Sequence, residues 1–157
     1  LPLPLPLPLP LPLLQVQRRV QRQVRRVDVY ENARVEQAFR AKKLEVEARV
    51  GEQVPILVFH GTAAENLERI MTEGFKVGGR DVGVANGSVH GHGVYTATGP
   101  DTPMGYARAG GANAVILAKA LEGTRGAQGV GDCWAPRGDW LVFKSGKQLL
   151  PKYVVHY

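Results

Sequence analysis

Three short stretches of the chain carry side chains able to do chemistry. The first is Phe59-His60-Gly61-Thr62, where an imidazole and a hydroxyl flank a glycine directly after an apolar run. A histidine at a strand end, beside a residue without a Cβ, offers a ligand both a ring nitrogen and closely approachable backbone. The second is His90-Gly91-His92-Gly93-Val94-Tyr95-Thr96-Ala97. Its glycines let the chain approach a flat ligand, and Tyr95 supplies a ring to stack on it. The third runs from Asp139-Trp140-Leu141-Val142-Phe143 to Gln148, Pro151 and Tyr153. Each has a plain structural alternative. A strand-end histidine is commonly part of a core, Tyr95 can be a core aromatic, and Asp139 can open a turn after Gly138. His90 and His92 fit a ligand contact or a loop-stabilising role. The Gly-x-Gly pair follows no strand pattern and does not extend to G-x-G-x-x-G ahead of a helix, which excludes a Rossmann site.

The elements that must position these groups divide the chain into three zones. Residues 1–14 hold six Leu-Pro pairs, a low-complexity arm expected in polyproline II or disorder because alternating proline bars a helix. Residues 15–50 contain no Gly or Pro and read as helix, a basic amphipathic segment leading into the core. Val16, Val20, Val24 and Val27 make one narrow apolar stripe, and Val35, Ala38, Phe39, Lys42 and Val46 share a second face. Asp28 and Asn32 are candidate caps between the two patterns. Residues 51–157 read as the mixed core, with strands expected at 55–59, 114–120, 140–143 and 153–157. A helix is expected at 64–72, stopped by Gly74 in the left-handed region, and a loop at 76–93.

Composition bounds the rest. With 157 residues the chain makes one domain of ordinary size, and 44% hydrophobic residues suffice for a packed core. A single cysteine, Cys133, excludes an intramolecular disulfide framework and any multi-cysteine zinc site. The four histidines form no H-E-x-x-H-type ligand set, so no metal site is expected. No apolar run reaches transmembrane length, and a cytoplasmic or nuclear protein is expected. A start at Leu1 reads as a piece of a longer chain. The net charge is +6, with five arginines and no acid between Gln15 and Arg26. Nucleic acid is a possible partner for Arg18 to Arg26. A solvated helix face is favoured, since no base-stacking aromatics accompany the charge.

The order of the motifs resembles the catalytic domain of the poly(ADP-ribose) polymerase family, the diphtheria-toxin-like ADP-ribosyltransferases. The resemblance rests on Leu57-Val58-Phe59-His60-Gly61-Thr62, then Asn66, Ile70 and Gly74-Phe75. It continues through Gly91 to Ala97 and Tyr106-Ala107, and closes with Val142-Phe143, Gln148, Pro151 and Tyr153. It spans roughly residues 26–157 in unbroken order. It implies an α+β ADP-ribosyltransferase fold, with two small, mostly antiparallel sheets around an NAD cleft and helices preceding them.

Carried over residue by residue, the resemblance implies that His60 hydrogen-bonds a hydroxyl of either ribose of NAD. Gly61 would hold the nicotinamide carboxamide through its backbone, Thr62 would contact the adenosine portion, and Tyr95 and Tyr106 would enclose the nicotinamide ring. Gly93 and Ala97 would line the NAD site. Asp139 falls where chain-elongating members carry Glu, which completes a catalytic set of His60, Tyr95 and Asp139. Pro103 stands where the family has a small hydroxyl residue, with Thr102 the neighbouring substitute. The implied activity is transfer of ADP-ribose from NAD to an acceptor, expected to be protein, with release of nicotinamide and no metal. Single-unit transfer is favoured over polymer synthesis. The alternative is a weak or inactive module of the same fold that binds NAD, ADP-ribose or a protein partner.

Overall fold

The computed structural model describes residues 11–20, 24–77 and 89–157. The Leu-Pro repeat up to residue 10, Arg22 of the basic stripe and residues 78–88 of the expected loop lie outside the described residues. Among the described residues, the elements in chain order are α1 (Leu11–Arg19), β1 (Arg26–Val29), α2 (Ala33–Val50), β2 (Ile56–His60) and α3 (Leu67–Glu73). They continue with β3 (Val94–Ala97), α4 (Asp101–Ala109), β4 (Ala114–Ala120), β5 (Cys133–Trp134), β6 (Trp140–Phe143) and β7 (Leu149–His156).

The strands join in the order β1-β7-β4-β2-β3-β6-β5, every neighbouring pair antiparallel. The two sheets expected from the sequence are therefore hydrogen-bonded into one. The join is narrow. β2 and β3 share the single register pair Phe59/Ala97, whereas β2 and β4 share five pairs and β3 and β6 share four. The four-strand and three-strand portions meet at one point, directly beside His60.

Side-chain alternation along β4 builds the core on both faces of the larger portion. Val115 and Leu117 pack with Phe59, Tyr153, Val155, Val16 and Val20. Ile116, Ala118 and Ala120 pack with Val58, Met71, Phe75 and Val154 on the other face. Between Leu117 and Ala118 the register with β7 shifts, so that Tyr153 and Pro151 take successive partners and Lys152 is left over. Proline cannot donate to a ladder and is tolerated at such a bulge.

The helical reading of residues 15–50 needs correction at 26–29. There the chain is β1, paired from Arg26/His156 to Val29/Tyr153 on the edge of β7. Val16 reaches the core from α1 and Val20 from just beyond its end, and Val24 and Val27 reach the same core from extended chain. β-branched valines suit a strand at least as well as a helix, and pairing with β7 decides between them. Asp28 accordingly caps nothing. It bonds His156 Nε2 at 2.9 Å and Arg26 Nε at 3.0 Å. The arm reading also fails at 11–14, which begin α1. Pro12 lies in the first turn, where a missing N–H costs nothing.

Elsewhere the local signals hold. Asn32 caps α2 by accepting the Val35 N–H at 3.1 Å, and Val35, Phe39 and Val46 are its buried residues. A 3₁₀ turn at Ala64–Asn66 leads into α3, which Gly74 ends. Gly74 has φ 88° and ψ 172°, an extended positive-φ conformation in place of the expected left-handed one. Among the described residues, no helix is long and apolar enough to cross a membrane.

Candidate active site

His60 is the last residue of β2, one step beyond the Phe59/Ala97 pair. Its Nδ1 lies 2.7 Å from the Tyr95 carbonyl oxygen. A carbonyl only accepts, so Nδ1 carries the proton and donates it. Burial pushes the imidazole pKa below its usual value and outweighs the opposing pull of the Tyr95 carbonyl. The ring is therefore neutral, and Nε2 is left with a lone pair to accept a proton from a hydroxyl. Phe75 backs the ring edge-on at 5.0 Å. A Cβ on Gly146 would lie 2.0 Å from the Phe75 carbonyl oxygen, so the turn before β7 presses on Phe75 from behind.

Tyr95, on β3, is held by its hydroxyl. The hydroxyl donates to Gly91 O at 2.8 Å and accepts the His90 N–H at 2.9 Å. Buried Trp134, on β5, donates its indole N–H to His90 O at 2.7 Å. Burial raises the phenol pKa against the pull of the His90 N–H, and Tyr106 nearby adds to the rise. A run of rings then links β3 to α4. His90 packs 6.3 Å from Tyr95 and 5.4 Å from Trp140, and Trp140 packs 6.3 Å from Tyr106. Arg137 sits 5.5 Å above the Trp140 ring, a cation–π contact.

α4 reaches the end of β2 because Gly61 has no side chain. A Cβ there would lie 1.8 Å from Pro103 O. At the other end of α4, a Cβ on Gly110 would lie 2.5 Å from Ala63 Cα, and Ala64 N–H donates to Gly110 O at 3.2 Å. The helix thus lies flush along residues 61–64. Tyr106 stands exposed one turn after Pro103. Thr102 Oγ1 accepts the Trp140 indole N–H at 3.3 Å, and Thr62 Oγ1 accepts from Asn66 Nδ2 at 3.4 Å.

The antiparallel α+β frame thus carries a neutral strand-end imidazole, a clamped tyrosine and a second tyrosine on a closely seated helix. Residues 13–126 match the family model of the poly(ADP-ribose) polymerase (PARP) catalytic domain. The chain belongs to that family. Curated proteins gave no match to it.

The matched span includes His60, Gly61, Thr62, Gly93, Tyr95, Ala97 and Tyr106 and ends before Asp139. The structure brings His60, Tyr95 and Tyr106 into one neighbourhood. Asp139, the residue before β6, is bonded to the turn that follows β3. Its Oδ2 accepts the Gly99 N–H at 3.0 Å and its carbonyl accepts the Thr98 N–H at 3.0 Å, and among the described residues no hydrogen bond joins it to His60 or Tyr95. Gly93 makes room for β6, since a Cβ there would lie 2.5 Å from Val142 Cγ1. Ala97 is buried between Phe59 and Trp140. Gln148 is a buried hub that donates to Leu121 O and Asp132 O, both at 3.0 Å, and accepts the Ser145 N–H.

Trp140 was given no role by the sequence, and His90 was left between a ligand contact and a loop-stabilising role. The available signal was position: Trp140 follows Asp139 directly and His90 precedes Gly91. Trp134 ties down the loop that carries His90. Among the described residues, no group of three or more His, Cys, Asp or Glu side chains is placed to hold a metal ion.

Proposed function

We propose that this PARP-family domain transfers single ADP-ribose units from NAD to a protein acceptor and releases nicotinamide. The observation that carries the reading is the tautomer of His60. With Nδ1–H bonded to the Tyr95 carbonyl, Nε2 accepts a ribose hydroxyl of NAD and fixes the sugar. Tyr95 and Tyr106 flank the nicotinamide ring. Among the described residues, the Gly61 N–H and C=O enter no loop hydrogen bond, which fits them to receive the carboxamide. In the reaction the bond from ribose C1′ to the nicotinamide nitrogen breaks, and its electron pair leaves with neutral nicotinamide. The acceptor's nucleophilic atom bonds C1′ and gives up its proton. Catalysis then rests on orienting the ribose and leaving group around an oxocarbenium-like state. The buried thiol of Cys133 suits a reducing compartment, cytoplasm or nucleus.

Asp139 supports single-unit transfer. Its carboxylate is one methylene shorter than Glu and is already engaged by Gly99, so it is a weak substitute for the group that polarises a ribose hydroxyl in chain elongation. The same engagement favours a second reading, in which the domain binds NAD without turning it over. The test is transfer of labelled ADP-ribose from NAD onto the protein and candidate acceptors, beside a Tyr95→Ala control. Discrete labelled bands that vanish in the control support mono-transfer, and a smear would replace it with polymer synthesis. No label, together with a melting temperature raised by a non-hydrolysable NAD analogue, would establish the binding module. Neither label nor shift would refute both readings.

A further inference from the structure

At the end of β2 opposite to His60 lies a groove of about 250 Å³, formed between α2, Pro55 and the adjoining ends of β4 and β7. Five residues of strand at about 3.3 Å each put it roughly 15 Å from His60. Its floor is apolar, made by Phe39, Pro55 and Leu150. Its walls carry Arg40, Lys43, Lys119 and Lys152 against one carboxylate, Glu36. That carboxylate is already shared, 3.4 Å from Lys152 Nζ and 3.9 Å from Arg40. Lys43 leans 3.7 Å toward Glu47, and Lys119 forms no ion pair among the described residues.

The placement of the two strand lysines is unusual for the fold alone. Exposed lysines in strands commonly guard sheet edges, but β4 lies inside the sheet between β7 and β2. Lys119 is the one exposed residue of a strand otherwise buried. Lys152 is the leftover residue at the β7 bulge, and a bulge re-aims a side chain. The positive surface continues beyond the groove. Arg19 NH1 donates to Leu57 O at 3.3 Å, and Leu57 is the register partner of Lys119.

We propose that this groove docks an acidic protein segment, with one apolar side chain on the Phe39–Leu150 floor and flanking carboxylates on Lys119, Lys43 and Arg40. The floor decides the kind of polyanion. A nucleic-acid backbone has no aliphatic side chain to bury there, and Phe39 is only 6% exposed, so it offers no platform for a base. The volume is also below the range of about 300–1,000 Å³ typical of small-molecule pockets.

The experiment titrates the full chain into a fluorescein-labelled peptide that carries one leucine between glutamates and follows anisotropy at low and high salt. Binding is expected, weaker at high salt, and reduced about tenfold or more by Lys119→Glu through lost charge complementarity. Lys43→Glu and a leucine-to-serine peptide should each weaken it as well. Both protein variants alter partly or fully exposed side chains, and circular dichroism checks that they fold. Absent binding, or binding indifferent to both variants, overturns the proposal. Single-stranded RNA that displaces the peptide and itself depends on Lys119 would make the groove a nucleic-acid surface and overturn it equally. No readout involves NAD, so the outcome is independent of the activity at His60.

Discussion

Gly61→Ala adds one methyl group where β2 meets α4. Its carbon would lie 1.8 Å from the Pro103 carbonyl oxygen and 2.6 Å from the carbonyl carbon, against an unstrained contact of about 3.5 Å. Helix or strand must therefore retreat by more than roughly 1.5 Å. Neither yields easily, because the clashing atoms are backbone and α4 is seated again on Ala63 through Gly110. Overpacking costs about 1–3 kcal/mol, and a backbone collision belongs at the upper end. For a chain of this size about 3 kcal/mol lowers Tm by roughly 6–12 °C. The retreat also carries Thr102 and Tyr106 away from the end of β2. A misplacement of about 1 Å can cost around a hundredfold in rate.

A second glycine in the same helix supplies the control. A Cβ on Gly105 meets nothing within 4 Å, so Gly105→Ala should gain about 0.5–1 kcal/mol of helix propensity and raise Tm by roughly 1–4 °C. Calorimetry on both variants, with nicotinamide release from NAD, checks the pair. If Gly61→Ala melts within about one degree of the parent and releases nicotinamide undiminished, α4 does not rest on Gly61. If both variants lose stability alike, the effect comes from backbone conformation and not from the contact.

Trp140→Ala removes the ring that joins His90, Arg137 and Tyr106, and KM for NAD should rise about tenfold or more with a smaller change in kcat. Trp140→Phe keeps a smaller aromatic ring without the bond to Thr102, and should recover most of that rise; an unmoved KM in the alanine variant would remove Trp140 from the site. Asp132 accepts two bonds from Arg49, at 2.9 and 3.1 Å, and one from the Thr124 N–H at 2.8 Å. Burial pushes its pKa up, but the Arg49 guanidinium, the Thr124 N–H and nearby Lys42 together bring it below the usual 3.8. The stabilisation is thus full above the unfolded value near 3.8 and is lost as pH falls through the lower folded value. Asp132→Asn should cost about 1.5–3 kcal/mol at neutral pH, and the difference in Tm from the parent should shrink in acid; a difference constant down to low pH would refute the linkage. Asp139→Ala removes the acceptor for the Gly99 N–H, and Tm should fall by about 2–4 °C. An unchanged Tm would show that the bond contributes nothing to that turn.

Residues whose partners are close in sequence, or whose pattern admits one structure, were legible. The strands at Ala114–Ala120 and Trp140–Phe143 fall where runs of apolar residues predict them. Asn32 caps α2 as a short polar side chain ahead of an apolar pattern should. β1 was not legible, because valines at 16, 20, 24 and 27 satisfy a helix as well as a helix followed by a strand. What settles the matter is β7, more than 120 residues away. α4 was hidden by its own composition. Pro103 and Gly105 look like breakers, yet Pro103 lies in the first turn, where its missing N–H is not needed, and the helix runs on to Ala109.

The site itself was half legible, for a reason specific to glycine. His60 and Tyr95 stood out as a strand-end imidazole and a ring beside glycines, each with a structural alternative, and Tyr106 entered only through the resemblance to the PARP family. The glycines of the same motifs were expected to bring backbone close to a ligand. They do bring backbones close, and on the Cβ side the neighbour they admit is protein. Pro103 occupies the side of Gly61 where a Cβ would stand, Val142 and Phe143 occupy that of Gly93, and Phe75 that of Gly146. A glycine in a sequence reports a close approach without naming the approaching atom. Here the approaches seat α4 against β2, β6 against β3 and the last turn against Phe75. The surface proposed for NAD therefore combines side chains, His60 Nε2 and the rings of Tyr95, Tyr106 and Trp140, with the backbone N–H and C=O of Gly61, whose Cβ side is taken by Pro103.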